Sequence, residues 1–551
     1  MNQRNLLLTT VFLVIVIGLF ACKQSQTDSE KDSTKIMEQD SPAIAVDANF
    51  YTEPHRLQYH FSPEKMWMND PNGMVYFEGE YHLFYQYYPD STVWGPMHWA
   101  HSVSKDLLHW EHLPIGLYPD SLGYIFSGSA VVDWKNTSGL GENGQAPLIA
   151  IYTYHDMKGE KAGKNDFQTQ GIAYSNDKGR TWTKYEGNPV VPNPGIKDFR
   201  DPKVMWHEAS ERWVMVFAAG DKVHFYNSPN LKDWTLTGKF GLGHGSQARP
   251  WECPDLFELP VEGTSESKWV LIVSLGKGGP NSGSATQYFI GDFDGKNFTN
   301  GNDSKEILWI DYGRDDYAGV TWSDVPKEDG RRLFIGWMSN WEYAQVVPTD
   351  VWRSAMTLPR TLTLQKTPKG IRLFSNPIAE TQKLRTGKKM TLDKKTIENS
   401  EDLTAKMDFN PSMIEIDIQY TLSKNTPTDV GFALSNSKGE TYKIGYNSAT
   451  QQFYSDRTKS GKVDFSDKFA SKVHTAPRIS DSKTIRLHLF FDLGSVELFA
   501  DNGATVLTDL FFPNEDFTQL QLYVEGEGIE LKEGNIYELK NIWRASSTAN
   551  P

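Results

Sequence analysis

Asn69-Asp70-Pro71-Asn72-Gly73 begins the first of five related repeats that lie between about residues 50 and 365. Each repeat passes from such an opening segment into a short apolar strand, a polar turn and a second, more hydrophobic strand. The other openings are Phe126-Ser127-Gly128-Ser129, Phe199-Arg200-Asp201-Pro202, Trp251-Glu252-Cys253-Pro254 and Tyr317-Ala318-Gly319-Val320. Internal repetition of this kind indicates an architecture built from one repeated structural unit.

A third and a fourth strand complete the repeats, and the turn between them begins at Ser and ends at Trp. Clear copies of this turn are Ser104 to Trp110, Ser175 to Trp182 and Ser228 to Trp234. Four short strands per unit, repeated radially, are typical of a β-propeller rather than of two packed sheets. The sequence therefore predicts an all-β protein with a five-bladed β-propeller over residues 49–370.

The pattern changes from about residue 385, where the repeat openings no longer recur. Strands such as Ser412 to Tyr420 and Thr484 to Phe491 alternate apolar and polar residues, and Asp501-Asn502-Gly503 has the composition of a tight turn. Regular strands at this spacing indicate an antiparallel β-sandwich. We therefore expect a second, β-sandwich domain over residues 385–548.

The N-terminal segment has the features of an export signal. Arg4 precedes an apolar run that ends at Phe20, and this run is too short to span a membrane comfortably. Ala21-Cys22 follows directly and resembles a bacterial lipobox, so we predict a lipoprotein signal peptide over residues 1–22 with Cys22 as the acylated residue. The alternative is a plain signal peptide with an incidental cysteine.

Residues 23–48 are mostly polar and charged, and they predict a flexible tether because they cannot bury enough apolar surface to fold. Together with Cys22, this segment predicts an exported protein that is lipid-anchored to a bacterial membrane, either in the periplasm or at the cell surface. Only Cys253 then remains, so no disulfide is expected. The net charge of −14 argues against a nucleic-acid partner, which usually requires basic patches.

Three of the five repeat openings carry an acid: Asp70, Asp201 and Glu252. The first strand of each propeller blade lines the central channel, so the repeat predicts that these side chains converge on one pocket. Convergent carboxylates are what glycoside hydrolysis requires, one at the anomeric carbon and another to protonate the leaving oxygen. The alternative for each acid is turn chemistry, since Asp before Pro often begins a strand.

These segments resemble glycoside hydrolase family 32, which contains invertases, inulinases and levanases. The resemblance is carried by Trp67 to Gly73, Phe199 to Pro202 and Glu252-Cys253-Pro254, and it runs from about residue 53 to the C-terminus. Trp94 to Trp99, Phe126 to Ser129 and Gly336 to Trp341 support it. The resemblance implies that Asp70 is the nucleophile, Glu252 the acid/base, and Asp201 a third acid that binds fructose hydroxyls beside Arg200.

Further residues match positions at which the family binds the terminal fructose. The resemblance implies substrate contacts for Asn69, Gln86, Trp94, Phe126, Ser127, Arg200 and Trp337. The alternatives are ordinary packing for the tryptophans and turn hydrogen bonding for Ser127. His82, His98, His101 and His109 lack a chelating pattern, so no metal is predicted, and no cofactor is expected.

The neighbours of the three acids give each a distinct expected ionisation state. Asp70 lies among Asn residues and is expected to remain ionised, whereas Glu252 between Trp251 and Cys253 is expected in a less polar setting that favours its protonated form. Asp201 is expected to stay charged because Arg200 precedes it.

The expected activity is retaining hydrolysis of terminal β-D-fructofuranosyl residues in levan, inulin or both, and also in sucrose, with release of fructose. Exo-action is expected because Trp337 to Trp341, Pro348 and Trp352 to Met356 resemble exo-acting fructanases. The alternatives are an endo-levanase, an inverting propeller hydrolase of arabinan or xylan, and a non-catalytic glycan-binding lipoprotein. The two fructan linkages present the same terminal fructose, so the sequence leaves the linkage preference open.

Overall fold

Short strands dominate residues 50–423 and 427–544, the part of the chain that the computed structural model describes. Helical segments within these ranges are α1 (Met157–Lys161) and the 3-10 turns Glu208–Ser210, Ala344–Val346, Ala379–Leu384 and Thr404–Lys406. None of the helices in the two ranges is long and apolar enough to cross a membrane. The all-β class is confirmed. The predicted signal peptide, Cys22 and the 23–48 tether lie outside the described residues.

Residues 66–377 form five sheets, of which the first three contain four consecutive antiparallel strands each. The first sheet contains β1 (Met66–Phe77), β2 (Glu80–Tyr88), β3 (His98–Ser104) and β4 (Trp110–Leu117). The second contains β5 (Tyr124–Val132), β6 (Leu148–His155), β7 (Gln168–Ser175) and β8 (Thr183–Lys184). The third contains β9 (Phe199–His207), β10 (Arg212–Ala219), β11 (Val223–Ser228) and β12 (Thr235–Phe240).

The last two sheets of this part follow the same plan with short additional strands. The fourth contains β13 (Trp251–Pro260), β14 (Ser267–Leu275), β15 (Ala285–Phe293), β16 (Phe298–Asn300) and β17 (Leu308–Trp309). The fifth contains β18 (Tyr317–Thr321), β19 (Arg332–Met338), β21 (Ala355–Met356), β22 (Arg360–Thr367) and β23 (Gly370–Pro377). β20 (Trp352–Arg353) instead pairs in parallel with β1, so a late segment completes the first sheet.

The first strands of the five sheets contact one another in sequence. β1 contacts β5, β5 contacts β9, β9 contacts β13, β13 contacts β18, and β18 returns to β1. These contacts bring the opening segments of the repeats close together. β23 begins at residue 370, the predicted end of the first domain, and pairs along its length with β22.

Two facing sheets follow. One contains β24 (Arg385–Thr391), β25 (Thr396–Ile397), β27 (Ile414–Leu422), β32 (Thr484–Asp492), β33 (Ser495–Ala500), β34 (Thr505–Leu510) and β36 (Ile529–Leu539). The other contains β26 (Glu401–Asp402), β28 (Asp429–Ser435), β29 (Thr441–Asn447), β30 (Gln452–Lys459), β31 (His474–Pro477) and β35 (Gln519–Glu525). Their inward residues, among them Ile416, Leu487, Phe432 and Leu522, form one buried core. Alternating burial along β27 and β32 is the pattern expected of a sandwich.

Buried ionic contacts join the two parts. Arg360 of β22 contacts Asp316 at 2.8 Å and reaches Glu497 of β33 at 2.7 Å. Arg457 of β30 contacts Asp315 at 2.6 Å, and all of these side chains are fully buried. The contacts fix the sandwich against the fifth sheet.

Candidate active site

Each inner strand carries an irregularity in the segment that opens its repeat. The register shifts between Met68 and Pro71 in β1, between Phe126 and Gly128 in β5, between Glu252 and Asp255 in β13, and between Tyr317 and Val320 in β18. The shift in β9 lies opposite Val216 and Ala218 of β10. Proline has no N–H to donate to the ladder, and a β-bulge redirects side chains. The irregular openings therefore turn polar side chains toward the axis.

These side chains line a cavity of about 230 Å³. All of the predicted site residues except Trp337 line it: Asn69, Asp70, Gln86, Trp94, Phe126, Ser127, Arg200, Asp201 and Glu252. The predicted convergence of the three acids is thus found in the folded chain.

Asp70 is held by three neighbours that contact its two oxygens. Ser127 Oγ donates to Oδ2 at 2.6 Å, and Asn69 Nδ2 donates to Oδ1 at 3.0 Å. Cys253 Sγ lies 3.5 Å from Oδ2. Trp67 Nε1 in turn donates to Asn69 Oδ1 at 2.7 Å, which fixes the orientation of the amide. The carboxylate is therefore immobilised with its oxygens in a polar environment.

Glu252 is more open to solvent and accepts hydrogen bonds on both oxygens. Arg200 Nη2 donates to Oε1 at 3.0 Å, and Tyr317 Oη donates to Oε2. The prediction of a less polar setting is therefore wrong, because a cation and a hydroxyl from neighbouring sheets reach the carboxylate. Burial raises the pKa of Tyr317 well above its usual range, and the charge of Glu252 raises it further, so Tyr317 acts as a donor.

Asp201 is buried, and its ionisation differs from the prediction. Burial raises its pKa to about 7, and the charges of Glu252 and Asp70 add to the rise. Arg200 lowers the pKa only in part, because its Nε lies 3.8 Å from Asp201 while its guanidinium contacts Asp198 at 2.7 Å and Glu252. Arg200 therefore does not hold the pKa of Asp201 at its ordinary value, although the sequence predicted that Asp201 stays charged.

The three acids also do not occupy one repeat position. Asp201, Cys253 and Ala318 share a left-handed backbone, with φ of 65°, 44° and 53°, so Cys253 is the equivalent of Asp201. Glu252 precedes this position by one residue and is the equivalent of Arg200. Cys253 N donates to Asp201 Oδ2 at 3.0 Å, which places the cysteine beneath both aspartates. The offset directs Glu252 to a different part of the cavity.

Trp337 is fully buried behind the cavity, where it packs against Trp341 with ring centroids 4.9 Å apart. Trp341 takes the lining position that the sequence assigned to Trp337. The two tryptophans lie four residues apart in one Trp-rich segment. Trp337 lies within β19, whereas Trp341 lies in the turn that follows and lines the cavity. Trp94 and Phe126 form an edge-to-face pair at the rim, and Gln86 donates to Ile125 O at 3.0 Å.

Besides Trp341, four lining residues were not predicted: His155, Glu160, Gln168 and Asp198. His155 stacks on Phe126 with ring centroids 4.1 Å apart and contacts Glu160 at 3.1 Å and Gln168 at 3.1 Å. Burial lowers the pKa of His155, although Glu160 opposes that effect. His155 ends β6, Glu160 lies in α1, Gln168 begins β7 and Asp198 precedes β9, so none of the four lies in a repeat opening.

Within residues 50–423 and 427–544, no group of three or more His, Cys, Asp or Glu side chains is arranged to hold a metal ion. The cavity contains carboxyl groups that differ in exposure, one arginine, and aromatic side chains at its rim. Carboxylates gathered in a sugar-sized pocket are the arrangement of a glycoside hydrolase.

Comparison with known families agrees with this class. The model of the glycosyl hydrolases family 32 N-terminal domain matches residues 60–377, and that of the family 32 C-terminal domain matches residues 380–538. The chain therefore belongs to glycoside hydrolase family 32.

Individual relatives extend over both parts of the chain. A levanase of Bacillus subtilis is 48% identical over 502 residues, which cover 91% of this chain and 73% of the levanase. The crystal structure of an exo-inulinase from Aspergillus awamori matches with a TM-score of 0.82 and 37% identity, covering 90% of this chain and 100% of that one. A fructofuranosidase from Schwanniomyces occidentalis, solved in complex with fructosylnystose, matches with a TM-score of 0.80 and 33% identity over 90% of this chain and 99% of that one.

Proposed function

We propose that the protein hydrolyses terminal β-D-fructofuranosyl residues of fructans, levan or inulin, and of sucrose, and releases fructose. The observation that carries this proposal is the cavity that gathers Asp70, Asp201 and Glu252 in a family 32 chain. A levanase, an exo-inulinase and a fructofuranosidase bound to fructosylnystose are among its relatives.

The proposed mechanism is a double displacement at the anomeric carbon of the terminal fructose. Asp70 is the nucleophile, because Asn69 and Ser127 hold its carboxylate in one orientation. Glu252 donates its proton to the leaving oxygen as Asp70 forms the fructosyl ester. Glu252, now a carboxylate, then takes a proton from water, and the resulting hydroxide displaces Asp70, giving net retention. Asp201 and Arg200 bind fructose hydroxyls.

Release of reducing sugar from levan, inulin and sucrose, with heat-inactivated protein as control, tests this function. Fructose release from at least one of them is expected. Release from arabinan or xylan alone would favour the inverting propeller hydrolases, and binding of fructan without release would favour a non-catalytic lipoprotein.

The stereochemistry tests the role of Asp70 directly. A nucleophile requires the carboxyl groups of Asp70 and Glu252 to lie roughly 5–5.5 Å apart, too close for an intervening water. NMR of the first anomer released from a β-fructoside should detect β-fructofuranose, and α-fructofuranose would contradict the assignment. Asp70→Asn should fold normally and turn over slower by several orders of magnitude.

Exo-action is proposed from the depth of the site. Beneath Asp201 and Cys253 only a space of about 10 Å³ remains, so the cavity is closed at its base and is suited to the fructose ring at a chain end. Product chromatography on levan should detect free fructose from the first minutes. Early accumulation of intermediate oligosaccharides with little fructose would indicate an endo-levanase.

The five sheets of residues 66–377 are proposed to be the blades of a five-bladed β-propeller. The closed sequence of contacts among β1, β5, β9, β13 and β18 supports this count. So does the pairing of β20 with β1, since it joins the last repeat to the first.

Attachment to a bacterial membrane through lipidated Cys22 is also proposed, with residues 23–48 as the tether and the enzyme in the periplasm or at the cell surface. The support is the lipobox-like Leu19 to Cys22 segment. Cys22→Ala should shift the protein from the membrane to the soluble fraction, and unchanged membrane partitioning would count against the anchor.

A further inference from the structure

A second and larger cavity lies at the other end of the inner strands. The cavity around Asp70 is lined by residues near the strand starts, whereas this one, of about 680 Å³, is lined by residues near the strand ends, such as Val132, Met205 and Phe257. The narrow axial space of about 10 Å³ separates them. No sugar ring passes a space of that size, so the second cavity, which we call the distal cavity, is a separate site.

Tryptophans form much of its wall. Trp134 is 61% exposed, yet its ring is fixed because Nε1 donates to Asp324 Oδ1 at 2.9 Å. Trp206 and Trp269 are half-buried, and Trp206 carries Lys135 Nζ 4.6 Å above its ring. Exposure of an aromatic face to water is unfavourable in free energy. An aromatic ring held in a fixed position provides a flat apolar surface on which a sugar ring can stack.

The polar groups of the distal cavity are balanced in charge. Its wall contains four basic side chains, Lys135, Lys203, Lys327 and Arg332, and four acidic ones, Glu208, Asp255, Glu258 and Asp324. Asp255 is fully buried and is paired within the wall, because its Oδ2 accepts from Thr321 N at 2.6 Å and lies 3.3 Å from Lys203 Nζ. Such a wall favours a neutral ligand with many hydroxyl groups over an ion.

We propose that the distal cavity is a second carbohydrate-binding site, which holds an internal segment of the same β-fructan whose ends the Asp70 cavity cleaves. The proposal rests on the proposed function for the choice of fructan. The volume of the distal cavity lies within the roughly 300–1,000 Å³ that is typical of ligand-binding clefts. Stacking on Trp134 and Trp206 supplies the apolar contacts, and the exposed polar side chains of the wall, such as Glu258, supply the hydrogen bonds. Engagement of the polymer at two sites raises the local concentration of chain ends.

The test compares polymeric and small substrates. Trp134→Ala should raise KM for inulin or levan several-fold, while kcat/KM for sucrose stays within twofold of the parent. Trp134→Phe keeps an aromatic face and should retain most of the polymer affinity. Leu236→Ala is the matched control, since Leu236 is an exposed apolar side chain outside the cavity and should change neither value.

Binding can be measured without hydrolysis in the Asp70→Asn variant, by affinity electrophoresis in gels that contain inulin, levan or dextran. Adding Trp134→Ala should reduce retardation by the fructans. Unchanged retardation and unchanged polymer KM would overturn the site, as would equal losses on sucrose and polymer. If dextran retarded the protein as strongly as fructan did, and this retardation also depended on Trp134, the choice of fructan as the ligand would be overturned. A wild type that hydrolyses no β-fructoside would refute the proposed function instead, while the Trp134 dependence of retardation would still report on the distal cavity.

Discussion

Glu252 is placed to act on the leaving group because it is the most solvent-accessible of the three acids and because Arg200 and Tyr317 orient both of its oxygens. An acid that protonates a departing oxygen matters most when that oxygen leaves poorly without a proton. The role of Glu252 is therefore best tested by comparing how much its substitution slows substrates with poor and with good leaving groups.

Glu252→Ala is expected to reduce kcat on fructans by about 10²–10⁴-fold, the range for loss of a general acid. The reduction should be far smaller on a β-fructoside with a good leaving group. Glu160→Ala is the matched control, because Glu160 also lines the cavity but contacts His155 rather than the other acids. Equal losses on both substrates for Glu252→Ala would argue against an acid role.

Asp201 gives the free energy of unfolding a dependence on pH. Its pKa of about 7 in the folded chain lies above the ordinary value of 3.8, so between these values the folded chain binds a proton that the unfolded chain has lost. The contribution of Asp201 to stability therefore falls as pH rises from about 4 to about 7, by a few kcal/mol at most. Asp201→Asn should remove this dependence. Urea unfolding from pH 4.5 to 7.5 that shows a constant difference between the two proteins would contradict the shift.

The sequence was informative at this scale wherever a residue lies in a repeat opening. Asp70, Asp201 and Glu252 were found in that way, and the structure brings them together. The ionisation of Asp201 was not predictable, because it depends on burial and on the direction of Arg200 toward Asp198 and Glu252. Adjacency in sequence says that two side chains are near, but not where their charged ends point.

At the scale of elements, the bulges of the inner strands explain both the success and the error of the repeat argument. Pro71, Pro202 and Pro254 interrupt the ladders and were visible in the sequence. The same prolines align Cys253, and not Glu252, with Asp201, and the left-handed backbone of both residues agrees with that alignment. A shift of one residue changes which side chain faces the axis.

Ala318 tests the importance of that conformation. It is fully buried with φ of 53°, next to Tyr317, which donates to Glu252. A β-branched residue is strained in this region, whereas glycine is not. Ala318→Val should lower the free energy of unfolding by roughly 1–3 kcal/mol and reduce kcat. Ala318→Gly should retain both. Urea unfolding and fructan hydrolysis measure the effects, and a Val variant as stable and active as the Gly variant would show that the conformation carries no cost.

At the scale of the whole molecule, buried ion pairs hold the sandwich against the sheets of residues 66–377. Within the residues that the structure describes, the sandwich contributes no side chain to the cavity around Asp70. Its strands were predictable because alternation of apolar and polar residues is a local pattern. The contacts that join it to the ring connect residues far apart in sequence, such as Arg360 with Glu497, and no local pattern indicates them. His60 lies at the same junction, between Asp492 at 2.8 Å and Glu497 at 3.0 Å.

His60 should make the stability of this junction depend on pH. Burial disfavours its charge, but the hydrogen bonds and charges of Asp492 and Glu497 prevail and raise its pKa to about 9 from the ordinary 6.5. A pKa raised in the folded chain means that the stabilisation is complete below about 6.5 and is lost as pH rises through about 9.

His60→Gln should therefore lower Tm strongly at pH 6 and much less at pH 9.5, with a loss at pH 6 on the order of the 3–5 kcal/mol for breaking a buried ion pair. His109→Gln is the control, because His109 pairs with Asp106 at 3.0 Å at the surface and such pairs contribute at most about 1 kcal/mol. Differential scanning calorimetry at the two pH values measures both variants. If His60→Gln lowered Tm equally at both, His60 would stabilise the junction by packing and neutral hydrogen bonds, and its charge would have no part in holding the sandwich to the ring.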